Sequence, residues 1–196
     1  MTSSNHSNEH LIQILQQFSE QYITAYQQTH GCLPTIEHDE EWLSPCEQHT
    51  TKQKAAPQGE VYWQPIAIEK SEELSFDNVE SALELTLHDD IKKYFTLHYS
   101  ESLDAQCGEG GLSLLFAWNK DDFQRLQENL IGHILMKRRL KQRETIFFAV
   151  TDEEDTIISL DNESGAVWVE RVGCKPHKQL SDSLAEFIRQ LKPITK

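Results

Sequence analysis

The stretch 145–172, TIFFAVTDEEDTIISLDNESGAVWVERV, decides the fold. Two β-prone runs, 145–150 and 156–160, precede a turn sequence at 161–165, and an alternating run follows over 166–172. Adjacent strands with short turns predict an antiparallel meander, because a parallel sheet needs a helical crossover between most of its strands.

The remaining periodic segments surround this meander with helices and further strands. Apolar spacing predicts helices near 8–29, over 77–95 in one or two pieces, from 120 onward and over 184–191, and strands over 61–66, 102–107 and 112–118. This order predicts an α+β fold: a mixed, largely antiparallel sheet with helices packed against it, in a single domain over 1–196. We also expect a polar N-terminal extension over 1–7 and a long loop over 31–60.

Helix signals are clearest in two places. Asp77 and Glu80 have capping-box spacing, and Asn119 can cap the next helix. A basic run over 137–143 suits that helix's C-terminus, where it would compensate the helix dipole. The predicted buried face of this helix is Phe123, Leu126, Leu130, Ile131, Ile134 and Leu135.

Composition excludes several classes of protein. The 196 residues carry a net charge of −14, which repels phosphate backbones, so no nucleic-acid partner is expected. The longest apolar runs are far shorter than the roughly 20 residues that span a bilayer, and no signal-peptide core precedes them. The four cysteines are too scattered for a disulfide framework, which indicates reduced thiols in the cytoplasm.

The acidic residues are unevenly distributed. Residues 1–136 hold 22 acidic and 7 basic side chains, whereas residues 137–196 hold 10 and 11. Such acid can simply keep a surface soluble, or it can form a face that meets a basic partner. The candidate partner-binding residues are Glu37, Asp39, Glu40, Glu41 and Trp42 of one segment and Glu80, Glu84, Asp89 and Asp90 of another.

Helical geometry would unite the second group of acids. Glu80 and Glu84, four residues apart, would share one helix face. Asp90 would lie within roughly 80° of Glu80 if one helix ran through both, at about 100° per residue. We expect that face to be acidic and free, and to line a concave site together with the acids of 37–41.

Catalytic and metal sites find little support. Cys32, His38, Cys46 and His49 are zinc-ligand types, but their spacing matches no compact zinc site, so no metal or other cofactor is predicted. A Cys46–His49 hydrolase stays open as an alternative, since catalytic groups assemble in space rather than in sequence order. His133 is more simply explained as a hydrogen-bonded structural histidine, and no catalytic residue is assigned.

Several strings together go beyond generic pattern. They are Ser44-Pro45-Cys46, Val61-Tyr62-Trp63-Gln64-Pro65, Asp121-Asp122-Phe123, Gln127-Glu128-Asn129-Leu130-Ile131-Gly132-His133 and Leu184-Ala185-Glu186-Phe187. The chain resembles the Syd family of bacterial SecY-interacting proteins over nearly its whole length. It departs from that family in its polar N-terminal extension and in the loop 47–60 with Lys52 and Lys54.

The resemblance implies a fold of the SUKH (Smi1/Knr4-like) superfamily and a non-enzymatic role. It implies an acidic concave surface that binds SecY, and a peripheral location at the cytoplasmic face of the inner membrane, reached through SecY, as well as in the cytoplasm. It further implies that the protein regulates or checks SecY assembly. Because cytoplasmic loops of membrane proteins are rich in Lys and Arg, the net acidic charge agrees with such a partner. The same superfamily leaves open an immunity protein that neutralises a toxin.

Overall fold

The predicted meander forms the centre of a seven-stranded antiparallel sheet. The computed structural model describes residues 3–49, 55–69 and 74–195. Its strands are β1 (Thr35–Glu37), β2 (Glu47–Gln48), β3 (Glu60–Trp63), β4 (Ile66–Ala67), β5 (His98–Tyr99), β6 (Leu103–Cys107), β7 (Gly110–Leu114), β8 (Thr145–Thr151), β9 (Thr156–Asp161), β10 (Val167–Arg171), β11 (Lys178–Ser181) and β12 (Lys192–Pro193). The large sheet has the order β11-β10-β9-β8-β7-β6-β12. The meander and the β6–β7 hairpin are therefore confirmed.

Helices cover this curled sheet and complete the α+β fold. Those in the described part of the chain are α1 (Ser3–His30), α2 (Asp77–Leu83), α3 (Asp89–Thr96), α4 (Lys120–Arg139) and α5 (Leu184–Gln190). On one face of β8, the Phe147 ring meets His133 of α4. On the other face, the Phe148 ring packs against Tyr94 of α3 and Phe187 of α5. Successive side chains of β8 point to opposite faces of the sheet, so this one strand contacts helices on both faces.

The segment predicted as a loop over 31–60 contains two short strands. β1 and β2 flank β3 in a separate three-stranded sheet, and Pro65 follows the end of β3. These strands are only three and two residues long, too short to show a period in the sequence. Residues 50–54 of that loop, with Lys52 and Lys54, and residues 1–2 of the predicted extension lie outside the described residues. α1 itself begins at Ser3.

The acidic segment after residue 76 is two helices rather than one. α2 ends where Glu84 takes the left-handed conformation, at φ 49°, and α3 begins at Asp89. Of the two alternatives that the sequence left open, the structure has two helices, so the condition under which Glu80 and Asp90 would share one helix face is not met. The predicted capping box was wrong, since Phe76 is the N-cap residue and makes no side-chain cap.

The two edge strands of the large sheet, β11 and β12, were not predicted from the sequence. β11 follows a turn with few apolar residues, and β12 pairs Pro193 with Ala105 at the sheet edge, where proline does not have to donate to the ladder. α5 was predicted correctly, with Ser183 accepting a hydrogen bond from the Glu186 amide. Leu135, predicted to be buried on α4, is 49% exposed.

The basic end of α4 includes a charge inside the fold. The Lys137 ammonium is fully buried and lies 2.8 Å from a carboxylate oxygen of Glu170 on β10. Burial alone would raise the pKa of Glu170, but hydrogen bonds from His133, Lys137 and Thr145 outweigh it and lower that pKa. His133 is thus a structural histidine, as predicted. Lys137 serves an ion pair rather than the helix dipole alone.

Candidate functional site

The acidic segment after β1 forms a turn of fixed shape. The Asp39 carboxylate accepts a hydrogen bond from the Glu41 amide at 2.9 Å, and the Trp42 amide donates to the Asp39 carbonyl at 3.0 Å. Aspartate commonly closes such turns on its own backbone. The side chains of Glu37, Asp39, Glu40 and Glu41 are exposed.

Three hydrogen bonds hold the end of this turn against the start of α4. The Trp118 indole donates to the Trp42 carbonyl at 3.2 Å, and the Asn119 amide nitrogen donates to the Leu43 carbonyl at 2.9 Å. The Ser44 hydroxyl donates to the Trp118 carbonyl. Two segments more than 70 residues apart in sequence thus form one surface.

Asn119 has two roles at this junction. Its side-chain oxygen accepts a hydrogen bond from the Asp122 amide at 2.8 Å and caps α4, as the sequence predicts. Its nitrogen holds the Leu43 backbone. The Asp122 carboxylate in turn accepts from the Trp118 amide at 2.8 Å. The first turn of α4 is therefore positioned by the same contacts that position the acidic turn.

Between the acidic turn and α4 lies a groove of about 390 Å³, here called the acidic groove. Its lining is Glu40, Glu41, Leu43, Pro45, Tyr99, Asn119, Lys120 and Asp121. Three carboxylates face one ammonium group, and the Leu43 side chain is 55% exposed among them. Such a lining suits a cationic chain that also offers apolar surface.

A second groove continues the acidic groove along α4. It shares Lys120 and Asp121 with the acidic groove and is bounded by Asp77 of α2 and Glu128 of α4. The start of α2 thus contributes Asp77 to this surface.

Trp42 lies behind the acidic groove rather than projecting from it. Its ring is partly buried against the core, and the Arg125 guanidinium of α4 lies 4.0 Å from the ring centroid. A cation–π contact of this kind fixes both side chains. Trp42 could therefore contact a partner only with the part of its ring that Arg125 does not cover.

The acids of α2 and α3 are partly engaged within the chain. Glu80 accepts a hydrogen bond from the Leu87 amide at 2.8 Å, and Lys92 bridges Glu80 and Asp89 at 3.1 and 3.3 Å. Glu84 is exposed at the end of α2, whereas Asp90 is half-buried. The face expected to be acidic and free therefore has two of its carboxylates neutralised by Lys92.

The structure argues against the Cys46–His49 alternative. The Cys46 side chain is completely buried, and this burial raises the pKa of its thiol to about 11. A thiol needs its thiolate form to act as a nucleophile, so Cys46 is held in the unreactive state. His49 instead approaches the Glu47 carboxylate at 3.1 Å, as does His38. Among residues 3–49, 55–69 and 74–195, no three side chains form a metal-binding group.

Sequence reasoning assigned only Glu40 and Glu41 of the acidic-groove lining to the site. Leu43 and Asp121 line the acidic groove, and Asp77 lines the second groove. The signal for Leu43 was an apolar residue directly after an acidic run in a region without periodicity. Nothing local could show that Asp121 faces Glu40 and Glu41, because that proximity depends on the contacts of Trp118 and Asn119.

The chain is an α+β protein, and its candidate site is an open groove lined by acidic and apolar side chains. No helix in the described ranges is long and apolar enough to cross a membrane. The family model described as "Syd protein (SUKH-2)" matches residues 12–193. This chain therefore belongs to the Syd family.

Similar proteins from three bacteria agree with this assignment. Protein Syd of Colwellia psychrerythraea is 59% identical over 97% of this chain and 95% of its own length. Protein Syd of Pseudoalteromonas atlantica is 44% identical over 87% of this chain and 90% of its own length, and that of Alteromonas mediterranea is 51% identical over 81% and 84%. The similarity covers the sheet, the helices and the acidic groove together.

Proposed function

We propose that this chain binds a Lys- and Arg-rich cytoplasmic loop of SecY through the acidic groove. The observation that carries the proposal is the junction at Asn119, which holds Glu40 and Glu41 beside Asp121 on a rigid helix end. Pre-positioned carboxylates bind a cationic segment without the entropic cost of ordering the site. Leu43 and Pro45 would cover the apolar stems of its lysine and arginine side chains.

The proposed role is regulatory and non-enzymatic. A protein that occupies a cytoplasmic loop of SecY can check or sequester SecY that is not assembled into its translocation complex. The net charge of −14 repels the anionic cytoplasmic leaflet, so membrane association would be peripheral and would depend on SecY. We therefore propose that the protein lies at the cytoplasmic side of the inner membrane when it is bound to SecY.

The test is a pull-down of SecY from detergent-solubilised inner membranes across a salt series. We expect binding to weaken steeply with salt, because charge pairs at an exposed groove are screened within about 8 Å at physiological ionic strength. The triple variant Glu37→Lys, Glu40→Lys, Glu41→Lys should bind at least about a hundredfold more weakly, since the changes at Glu40 and Glu41 replace attraction by repulsion in the groove and Glu37→Lys adds a positive charge in the same segment. Its melting temperature should stay close to that of the wild type.

A matched control separates the groove from total charge. The variant Glu20→Lys, Glu154→Lys, Glu163→Lys changes three exposed acids elsewhere and alters the net charge by the same amount. It should retain most of the SecY binding. Equal loss in both triple variants would contradict a groove-specific site, and binding that is flat across the salt series would contradict the electrostatic account.

For the acids of α2 and α3, partner binding is a weaker proposal. Lys92 already offsets Glu80 and Asp89, so Glu84 and Asp90 would have to supply most of the attraction. Glu84→Lys is the cleanest probe, because its side chain is exposed. We expect a loss of binding below about tenfold, the size typical of a charge at the rim of an interface. Unchanged binding would restrict the site to the two grooves along α4.

A further inference from the structure

The solvent-facing side of α4 is apolar in its second half. Gly132, Leu135, Met136 and Leu140 fall on this side, by helical spacing, and Leu135 and Leu140 are 49% and 45% exposed. Beside Met136 an apolar groove of about 370 Å³ runs to the sheet and is lined there by Leu115, Phe147, Val150, Ile157 and Val172. Four of the five exposed large hydrophobic residues in the described chain lie on this helix end or in this groove.

Gly132 has no reason within the chain to be glycine. A Cβ atom at this position would meet nothing within 4 Å, and the backbone is helical, so alanine would fit. Glycine in an exposed helix interior costs about 0.5–1 kcal/mol relative to alanine. The missing side chain leaves room on this side of α4 for another surface to approach the helix backbone closely.

Opposite charges stand at the two ends of the same side of α4. Glu128 precedes Gly132 by one turn, and Arg139 follows Leu135 by one turn. They are 11 residues apart, which is close to three full turns, so both lie in line with the apolar residues between them. Both side chains are exposed, and the Glu128 carboxylate meets only the Gln124 amide, at 3.4 Å, among the hydrogen bonds of the described residues.

We propose that this side of α4, with Glu128, Gly132, Leu135 and Arg139, is the interface of a symmetric homodimer. In an antiparallel pair of helices, a two-fold axis matches residues that are equidistant from one midpoint. Gly132 and Leu135 share their midpoint with Glu128 and Arg139. One axis therefore places Leu135 of each copy over Gly132 of the other, and Glu128 of each copy beside Arg139 of the other.

A second copy fits this face because the face is complementary to itself. The same two-fold rotation seats the Leu135 side chain of each copy at Gly132 of the other. It also pairs Glu128 of each copy with Arg139 of the other. The axis lies between the helices and perpendicular to them, so it also brings the two apolar grooves to the same flank of the pair. The dimer would cover Gly132 and Leu135 of each copy, which the single chain leaves in contact with water.

Light scattering coupled to size exclusion tests the proposal on the full chain over a range of protein concentrations. We expect a dimer at high micromolar concentration, and Leu135→Asp should raise its dissociation constant by at least about tenfold through a buried, unpaired charge. Glu128→Arg and Arg139→Glu should each weaken the dimer about tenfold, because each change creates two like-charge contacts across the axis. The double variant Glu128→Arg, Arg139→Glu should recover it.

The controls make every outcome decisive. Glu154→Arg reverses an exposed charge outside this face and should leave the dimer intact, and circular dichroism should show that each variant is folded. A wild-type protein that stays monomeric, a folded Leu135→Asp variant that still dimerises, or a double variant no better than either single reversal would overturn the proposal. Because the readout is mass rather than SecY binding, its failure is separate from that of the proposed function.

Discussion

The two ends of α4 use charge in opposite ways. At the N-terminal end, Asp121 joins Glu40 and Glu41 around an open groove. At the C-terminal end, Lys137 is buried on Glu170, and Arg138 pairs with Glu144 while donating to the Leu83 carbonyl. The acidic end leaves its charges for solvent or a partner, whereas two cations of the basic end, Lys137 and Arg138, are paired within the chain.

This difference explains how a chain with 18 basic residues presents an acidic site. Beyond α4, Arg143 continues the pattern, since its guanidinium pairs with Asp161 and lies 4.2 Å from the Trp168 ring centroid. Cations that are committed to internal partners contribute little to the field around the acidic groove. The number of basic residues at the C-terminal end of α4 therefore overstates the positive charge that this end presents to solvent.

The largest expected effect comes from breaking the buried pair. Lys137→Met leaves Glu170 buried without its cation and should lower the free energy of unfolding by about 3–5 kcal/mol. Lys175→Met, which removes an exposed cation from the same basic half, should change it by no more than about 0.5 kcal/mol. Urea denaturation at neutral pH measures both. Similar small losses in the two variants would show that Lys137 is not a structural charge.

A buried imidazole that contacts a hydroxyl group gives the next effect. His98 is 4% exposed, and its ring nitrogen meets the Ser19 hydroxyl at 3.3 Å. Burial lowers the pKa of His98 from 6.5 to about 4. Between these two values the unfolded chain binds a proton that the folded chain does not, so stability falls as the pH falls through this window. From pH 7 to pH 5 the loss should be about 2 kcal/mol.

Urea denaturation at the two pH values isolates this histidine. His98→Gln should remove most of the difference between pH 7 and pH 5, whatever its effect on stability at pH 7. His177→Gln, at an exposed position, should keep the wild-type difference. If the His98 variant retained the full pH dependence, the buried imidazole would not be its source.

Local signals were enough to predict most of the fold. The meander over 145–172, the β6–β7 hairpin and the Asn119 cap all depend on residues close in sequence, and all are confirmed. The sequence left open whether 77–95 is one helix or two, because the left-handed Glu84 carries no turn signature and the apolar stripe continues beyond it. β12 was not predicted for a related reason. It is two residues long, and it is a strand only because it pairs with the edge of β6.

The candidate site was predicted in part. The exposed acids of the loop stand at one wall of the acidic groove, but the opposite wall depends on long-range hydrogen bonds from Trp118 and Asn119. The basic run after residue 136 was correctly predicted to lie at the C-terminus of α4, but the burial of Lys137 was not predicted. Its pattern is the same whether the cations are solvated or buried, and only the position of Glu170 on β10 distinguishes the two.

The smallest expected effect tests whether Asn119 both caps α4 and holds the acidic groove in shape. Asn119→Ala removes both the cap to Asp122 and the bond to the Leu43 carbonyl, and should cost about 1–2 kcal/mol of stability. Asn119→Asp keeps an oxygen for the cap but loses the donor to Leu43, so it should cost less than the alanine variant.

Binding should separate the two variants from stability. In Asn119→Asp a carboxylate faces the Leu43 carbonyl, which should push the acidic turn away from α4 and weaken the SecY pull-down about threefold or more, although the helix stays capped. Serine supplies a useful comparison, because Asn119→Ser can also cap the helix and removes the donor without adding charge. If the loss of SecY binding paralleled the loss of stability across the three variants, the helix cap alone would account for the role of Asn119. If the Asp and Ser variants bind weakly while remaining stable, the contact between Asn119 and Leu43 is what holds Glu40 and Glu41 in place for the partner.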